Sequence, residues 1–359
     1  MKSIILSNII ICLLIMSSDI YSQKYRLTDR EESALITAFE EDSLFADWVE
    51  NLPDAVKLYE QYKADLLSSD SIWNSNQRKL QKIKDFGCTT KFEFVPLVES
   101  LDGNNQFKKA IGVSYLIHTD SSTILFDTGW DEDSEICVFR YNLDKLGENI
   151  NDINNVVISH NHGDHQNEWK WVTDKSFTNS DNRSLLSGIK IYVPEDTLNL
   201  PVKTIYSREP VKISEGVYTT GIIRAPMFFG PAQEQSLIFN VKDKGIIIVT
   251  GCGHHTVEKL LLRCGKLTDI PAYGILGGLH FPLEGESKKY MSYFITGKLP
   301  WEKFTLADVN KKIELIKKRN LKLIGVSTHD SSVGAIKAFR TAFSKEYKDL
   351  IPGEWILVE

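Results

Sequence analysis

The chain has 359 residues, of which 42% are hydrophobic and 25% are charged. This composition excludes a disordered or fibrous chain and is typical of a globular protein with room for one large domain or two ordinary ones. The formal net charge is only −6, and no basic run is interleaved with aromatic residues, so the sequence predicts no nucleic-acid partner.

The first 22 residues predict a signal peptide. Lys2 precedes an apolar run from Ile4 to Met16, and a polar, small-residue stretch ends at Ser22. The run is shorter than the roughly 20 residues that span a bilayer, which favours a signal peptide cleaved after Ser22 over an uncleaved anchor. We therefore expect an exported protein, periplasmic or secreted, that keeps no membrane span after cleavage. Four cysteines remain, too few for a disulfide framework in so large a chain.

Residues 23–88 are predicted to form a helical extension. Thr28 and Glu31 have the spacing of a capping box. Apolar residues then recur at helical spacing from Leu35 to Val49 and again from Val56 to Leu66. Such stripes usually pack inward, so helices lying on the outside of the main domain are favoured over a cap that shapes substrate access.

The main domain is predicted to cover residues 89–359 and to begin with strands. Phe92 to Val98 alternates as a strand does, and Ile111 to His118 pairs with Thr123 to Phe126 as a hairpin. Asp127 follows directly and therefore stands at a strand end. We expect its carboxylate to hydrogen-bond and orient a metal-binding turn, because histidine ligands normally need such a partner.

A histidine-rich turn at residues 159–165, SHNHGDH, carries four potential metal ligands directly after an apolar run. His160, His162 and Asp164 share parity, so in an extended chain they point to one side, while a glycine lets the chain bend and send His165 toward a second point. This geometry suits two adjacent ions better than one. Imidazole and carboxylate donors favour zinc, with iron or manganese as alternatives. A polar loop that is merely rich in histidine is the weaker interpretation.

Three later apolar runs also lead into histidines, at His254, His280 and His329. Repeated strand ends of this kind are expected to bring their imidazoles to one place. His255 replaces His254 if that turn is rotated by one residue. Cys252 stands beside these candidates, where it is either a thiolate ligand or, as the sequence favours, a small packed residue.

These motifs resemble those of a known superfamily. The turn resembles the HxHxDH signature of the metallo-β-lactamase superfamily, and Asp127-Thr128-Gly129 resembles its first motif. The later histidine segments resemble the dihydropterin-type ribofuranosylaminobenzene phosphate synthase-like hydrolases, whose Gly-Cys-Ser-His motif reads Gly-Cys-Gly-His here at residues 251–254. The resemblance covers about residues 90–345 and implies a four-layer αββα sandwich, an α/β fold, carrying the N-terminal helical extension.

The sequence departs from the superfamily pattern at one ligand. The histidine that usually occurs between the positions of His165 and His254 is missing. This makes hydrolysis of β-lactams doubtful and makes His254 the natural replacement.

Spacing and resemblance together predict two divalent transition-metal ions. Asp127 orients the turn, and His280 is either a further ligand or the proton donor to the leaving group. Asp164 is also expected to hold a bridging hydroxide. The predicted ligands are His160, His162 and His254 for one ion and Asp164, His165 and His329 for the other.

The predicted activity is hydrolysis of an ester, phosphoester or related bond in a small molecule by a hydroxide that the two metal ions activate. A metal-dependent transferase or synthase, as the branch name implies, is the first alternative. The second is a binding protein that retains metal without catalysis. The intact ligand set favours an enzyme, because a decayed site is expected to have lost a histidine. The sequence identifies neither the substrate nor the oligomeric state.

Overall fold

The computed structural model describes residues 27–101, 106–130, 137–166, 189–194, 204–286, 294–298 and 302–359. The chain divides into two compact units, one mainly helical and one built on β-sheets. Among the described residues, no helix is both long enough and apolar enough to cross a membrane. The predicted signal peptide lies outside these residues, and the predicted domain boundary at residue 88 stays a prediction.

Three helices begin the helical unit, which comprises residues 27–72, 226–231, 294–298 and 302–303 of the described chain. They are α1 (Asp29–Glu41), α2 (Ser43–Trp48) and α3 (Leu52–Lys79), of which α3 belongs to this unit as far as residue 72. The capping box predicted at Thr28 is present: its hydroxyl accepts from the Glu31 N–H at 3.3 Å, and the Glu31 carboxylate accepts from the Thr28 N–H at 2.7 Å.

The core of the helical unit is aromatic. Phe45, Tyr59 and Tyr62 are fully buried and cluster with Phe228. The rings of Phe45 and Phe228 meet edge to face with centroids 5.6 Å apart, a favoured geometry for aromatic pairs. Burial of the apolar stripes is therefore what holds these helices together, as their spacing predicted.

A seven-stranded sheet forms the first half of the larger unit. Its order is β15-β1-β2-β3-β4-β5-β6. Pairing is antiparallel from β15 to β3 and parallel from β3 to β6. The strands are β1 (Phe92–Val98), β2 (Ser114–Thr119), β3 (Thr123–Phe126), β4 (Asn155–Val157), β5 (Lys190–Val193), β6 (Thr204–Tyr206) and β15 (Ile356–Val358).

A six-stranded sheet forms the second half, in the order β14-β13-β12-β11-β8-β7, beside a two-stranded ribbon of β9 and β10. The pairs β12-β13 and β13-β14 are parallel. The strands are β7 (Lys212–Ser214), β8 (Val217–Thr219), β9 (Ile223–Ala225), β10 (Ala232–Glu234), β11 (Leu237–Val241), β12 (Gly245–Thr250), β13 (Ala272–Gly277) and β14 (Leu323–Val326).

The two sheets share one apolar core, and helices lie outside them. Phe94 and Phe126 of the first sheet cluster with Phe239 and Ile247 of the second. Helix α4 (Val138–Lys145) buries Phe139 and Leu143 in a separate cluster with β1 to β5 of the first sheet. Helices α6 (Val257–Leu267), α7 (Leu306–Lys317) and α8 (Val333–Ala342) follow strands of the second sheet and contact one another in sequence. The fold is thus the expected four-layer αββα sandwich.

Parallel pairing explains how distant residues reach one site. Because β3 and β4 run parallel in one sheet and β12, β13 and β14 run parallel in the other, the carboxyl ends of each set meet at one edge. The turns that leave these five strands carry the donor residues described next.

Candidate metal centre

The histidine-rich turn leaves the sheet just after β4 and closes in the short helix α5 (Gly163–Gln166). His160 and His165 are fully buried, whereas His162 and Asp164 are half-buried. The backbone of this turn lies against Gly112, where a Cβ would be only 1.6 Å from the Asp164 carbonyl oxygen. Because only glycine permits this approach, the backbone of the turn packs directly against the segment that contains Gly112.

The carboxylate of Asp127 holds the histidine-rich turn in place. It follows β3 with a left-handed backbone (φ 58°), and its buried carboxylate accepts from the Ser159 N–H at 2.6 Å and the Ser159 hydroxyl at 2.7 Å. It also accepts from His165 Nδ1 at 2.7 Å. Since the Ser159 proton is directed to Asp127, the Ser159 oxygen accepts from His160 Nδ1 at 2.8 Å. One carboxylate therefore sets both imidazoles so that Nε2 faces away from Asp127.

The first predicted ligand group is brought together. His162 Nδ1 lies 3.2 Å from His254 Nε2, although the two residues are far apart in sequence. The His160 ring centroid is 4.5 Å from that of His162 and 5.1 Å from that of His254. One potential ligand atom from each of these three residues and from Cys252 lies within 4.8 Å of the others.

The second predicted group lies beside the first. His165 Nε2 is 3.6 Å from Asp164 Oδ2, and the His165 and His329 ring centroids are 5.3 Å apart. His329 Nδ1 lies 2.6 Å from the Ser327 hydroxyl, which leaves its Nε2 directed toward the other donors. Asp164, His165 and His329, again with Cys252, offer ligand atoms within 4.8 Å of one another.

The structure shows which of His254 and the alternative His255 faces the cluster. The carboxylate of Glu234 accepts backbone N–H groups of Gly253 and His254, each at 2.8 Å, and so holds the turn after β12. His254 then points into the cluster. His255 points away, with Nε2 3.1 Å from the Ser236 hydroxyl. Sequence reasoning missed Glu234, the buried last residue of β10, although a glutamate three residues before the apolar run of β11 was a usable signal.

Cys252 lies at the centre of the cluster. Its Sγ is 3.0 Å from His165 Nε2 and 3.2 Å from His329 Nε2. The sequence favoured a packed side chain, and the residue is indeed buried, but its surroundings are imidazoles and carboxylates. The same sulfur occurs in both ligand groups and in a third group with His280 and Asp330.

His280 lies next to the first group but is held differently. Its backbone is left-handed (φ 56°), its N–H donates to Asp330 Oδ2 at 3.0 Å, and its Nδ1 lies 3.9 Å from the same oxygen. Its ring centroid is 4.7 Å from that of His254. His280 is thus at the rim of the donor cluster, beside a buried carboxylate that the ligand prediction did not include.

Burial and neighbouring charges shift the pKa values of these histidines. Burial lowers the pKa of His162 to about 4 and that of His329 to about 3, and burial with neighbouring imidazoles holds the pKa of His160 well below its ordinary value. Burial acts in the same sense on His165, but the carboxylates of Asp164 and Asp127 outweigh it and raise that pKa to about 9. At neutral pH most of the imidazoles therefore carry a free lone pair rather than a proton.

This donor set fits divalent transition-metal ions. His160 Nε2 is buried and has no hydrogen-bond partner among the described residues, a costly state that a bound cation relieves. Imidazole nitrogen and sulfur bind such ions in preference to magnesium or calcium, whereas carboxylate oxygen binds both kinds of ion. The residues that the sequence nominated as ligands thus converge on one buried place from three different turns.

Comparison with known proteins gives a consistent result. A family model described as the metallo-beta-lactamase superfamily matches residues 109–179. The curated 7,8-dihydropterin-6-methyl-4-(beta-D-ribofuranosyl)-aminobenzene-5'-phosphate synthase of Methanocaldococcus jannaschii is 22% identical over 252 residues, which are 58% of this chain and 84% of the relative. An uncharacterised protein from the same organism is 27% identical over 228 residues, covering 55% and 84% of the two chains.

A solved structure described as a metal-dependent hydrolase of the beta-lactamase superfamily has the same fold, with a TM-score of 0.53 and 18% identity over 75% of this chain and 99% of its own. The match to the family model and the curated relative confirm the predicted resemblance to the metallo-β-lactamase superfamily and, within it, to the synthase branch, and the solved structure confirms the fold.

Proposed function

We propose that the protein is a metal-dependent hydrolase that uses two divalent transition-metal ions, zinc in the first place, on an ester, phosphoester or related bond of a small molecule. The superfamily fits a metal-dependent hydrolase. The observation that carries the proposal is the convergence of two complete donor groups on adjacent positions of one buried cluster. A single structural ion would need only one of them.

We assign the donor residues to the two ions by their proximity. His160, His162 and His254 would hold one ion, and Asp164, His165 and His329 the other. When bound, the two ions supply a hydroxide nucleophile near neutral pH and stabilise the negative charge that develops on the substrate. The chain's own contribution is to fix the donors: Asp127 orients the first turn, and Glu234 fixes the turn that bears His254.

His280 is suited to move a proton rather than to hold an ion. Its side chain contacts the ring of His254 at the edge of the cluster, and the Asp330 side chain accepts its backbone N–H and so fixes its position. We assign it the delivery of a proton to the leaving group. Imidazole is the usual side chain for this task at neutral pH.

The second candidate is a metal-dependent synthase. Its support is the curated relative, which is itself named a synthase. The two functions differ in what attacks the substrate: water in the hydrolase and an acceptor molecule in the synthase. Product that forms only when a second substrate is added would therefore favour the synthase.

Turnover by metal-loaded protein is the direct test. We expect about two zinc ions per chain and hydrolysis of at least one of a set of generic phosphodiester, phosphomonoester, thioester, lactone and β-lactam substrates, with the β-lactam the least reactive. Asp164→Ala should lower turnover more than about 100-fold, because one ion loses a ligand and its several kcal/mol of charge stabilisation. Purified protein that holds no transition metal would refute the proposal.

Asp127→Asn tests the orienting carboxylate. An amide cannot accept from Ser159 and His165 as the carboxylate does, so we expect metal affinity to fall about 10–100-fold. Asp243→Asn is a matched control, because Asp243 also has a left-handed backbone (φ 59°) but is exposed in the turn between β11 and β12. Competition with a chelator measures both affinities. Equal affinities in the two variants would show that Asp127 does not orient the metal-binding residues.

His280→Asn separates the two roles of His280, and asparagine tolerates the left-handed backbone there. Loss of a proton donor should lower kcat about 10²–10⁴-fold while both ions stay bound. His118→Asn, on β2, serves as the control for loss of an imidazole outside the cluster. A metal content that falls to one ion per chain would identify His280 as a ligand instead.

Export is part of the proposal. It is supported by the charged and apolar pattern of residues 1–22. When the full chain is expressed in a bacterial host, we expect the intact mass of the mature protein to correspond to a chain that begins at Gln23. A mass that retains the first 22 residues would contradict cleavage.

A further inference from the structure

We infer that Phe228 is a positioning residue for the metal centre, through which the helical unit holds strand β10 against the turns that carry the donors. The inference rests on the proposed two-ion site and concerns a part of the chain outside the donor cluster. Phe228 lies in the tip (residues 226–231) of the hairpin that β9 and β10 form. This tip belongs to the helical unit, whereas the two strands belong to the larger unit.

The tip of the hairpin is part of the aromatic core of the helical unit. Phe228 is only 1% exposed, and its ring meets those of Phe45 and Tyr62 edge to face, with centroids 5.6 Å and 6.2 Å away. The Met227 carbonyl accepts from the Gly230 N–H at 3.2 Å, which closes the tip into a turn. Because a close-packed core allows a buried ring few alternative positions, the helical unit sets the position of the tip.

The other end of the hairpin holds two donor turns. Glu234, the last residue of β10, accepts three successive backbone N–H groups of the turn at residues 252–254, at 3.1, 2.8 and 2.8 Å. Gln235 donates its backbone N–H to the Ser159 carbonyl at 2.9 Å and its side-chain amide to the Ile158 carbonyl at 2.8 Å. Two neighbouring residues thus contact both turns that supply the first predicted ligand group.

The hairpin is built to transmit a displacement of its tip. Among the strands that the structure describes, β9 and β10 pair only with each other, in a register that places Glu234 opposite Ile223. The segment that enters β9 is fixed by the buried Arg263, whose guanidinium donates to the carbonyls of Thr220 at 2.7 Å and Ile222 at 3.1 Å. With this base fixed, burial of the tip prevents rotation of the ribbon. A displaced tip would therefore move the end of β10 and, with it, the two donor turns.

A coupling of this kind acts in both directions. If packing of the tip favours the arrangement of donors that binds metal, bound metal must stabilise packing of the tip by the same factor. The predicted ligands all belong to the larger unit. Metal should nevertheless make the helical unit harder to open, and this effect should depend on Phe228.

Zinc affinity of the full mature chain tests the inference at the hairpin. Phe228→Ala removes the packing of the tip, so we expect affinity in competition with a chelator to fall about 10-fold, as for other residues that orient ligands. Phe228→Leu keeps most of the apolar volume and should stay within about 3-fold of the wild type. Phe139→Ala is the matched control, because Phe139 is also 1% exposed but lies in α4, packed against the first sheet. Equal losses in Phe139→Ala and Phe228→Ala, or no loss in Phe228→Ala, would overturn the inference.

Phe45→Ala tests the same contact from the helical unit. Phe45 lies in α2, far in sequence from every predicted ligand, so a loss of zinc affinity there has no local explanation. The loss should resemble that of Phe228→Ala. Because both substitutions act through one contact, the double variant should bind zinc about as well as the weaker single variant. Fully additive losses would overturn the route through the tip.

Amide hydrogen exchange of the wild type tests the reverse direction without a substitution. We expect the amides of α1 and α2 to exchange more slowly in zinc-loaded protein than in metal-free protein, as measured by mass spectrometry. In Phe228→Ala, zinc should leave the exchange of these helices unchanged. Wild-type helices that do not respond to zinc would overturn the inference even if Phe228→Ala does not fold.

The outcomes also separate this inference from the proposed function. Wild-type protein that binds two zinc ions while exchange in α1 and α2 stays unchanged would overturn the role of Phe228 and leave the two-ion hydrolase intact. Wild-type protein that binds no zinc would overturn both. Slower exchange on zinc binding, together with a selective loss of affinity in Phe228→Ala, would support both.

Discussion

The hydrogen bonds to the Asp127 carboxylate are the interaction on which the centre depends. They hold the backbone of Ser159, set the ring of His165 directly and set that of His160 through the serine hydroxyl. A hydrogen bond to a charged group contributes about 1.5–3 kcal/mol, whereas a left-handed backbone at a residue such as Asp127 costs about 1–3 kcal/mol. Three such bonds outweigh the strain, which explains how this backbone conformation persists at the end of β3.

A buried carboxylate also accepts a backbone N–H group at each of the other turns that carry candidate metal ligands. Glu234 holds the turn of His254, Asp330 holds the backbone of His280, and Glu99 accepts from the Thr328 N–H beside His329 at 3.3 Å. All three carboxylates are buried, and burial raises the pKa of Glu99 to about 7 and that of Asp330 well above its ordinary value. Buried negative charge of this kind is costly unless positive charge lies nearby. Divalent cations would supply that charge, so we expect their binding to stabilise the fold as well as the site.

The sequence predicted those features of the site that depend on residues close together along the chain. Candidate ligands that follow apolar runs were recognisable because strand ends are rigid, and the αββα fold followed from the motifs. Orientation around a turn was not predictable, so His254 and His255 remained alternatives until the bonds from Gly253 and His254 to Glu234 fixed the turn. The environment of Cys252 was hidden for a related reason. Its polar neighbours His165 and His329 lie in the turns that follow β4 and β14, and no local pattern records which distant turns will face a given side chain.

The departure at residue 253 from the branch motif has a steric explanation in this chain. Gly253 has φ 77°, and a Cβ there would lie 2.5 Å from the Gly278 carbonyl oxygen. Gly251 is constrained by space alone, since a Cβ at that position would be 2.3 Å from the Ser159 hydroxyl oxygen. Two glycines thus let one short turn pass between its neighbours and present both Cys252 and His254 to the cluster. The turn can in this way supply the imidazole that the superfamily usually draws from an earlier segment, and a serine at residue 253 would push it away from the ligands it must meet.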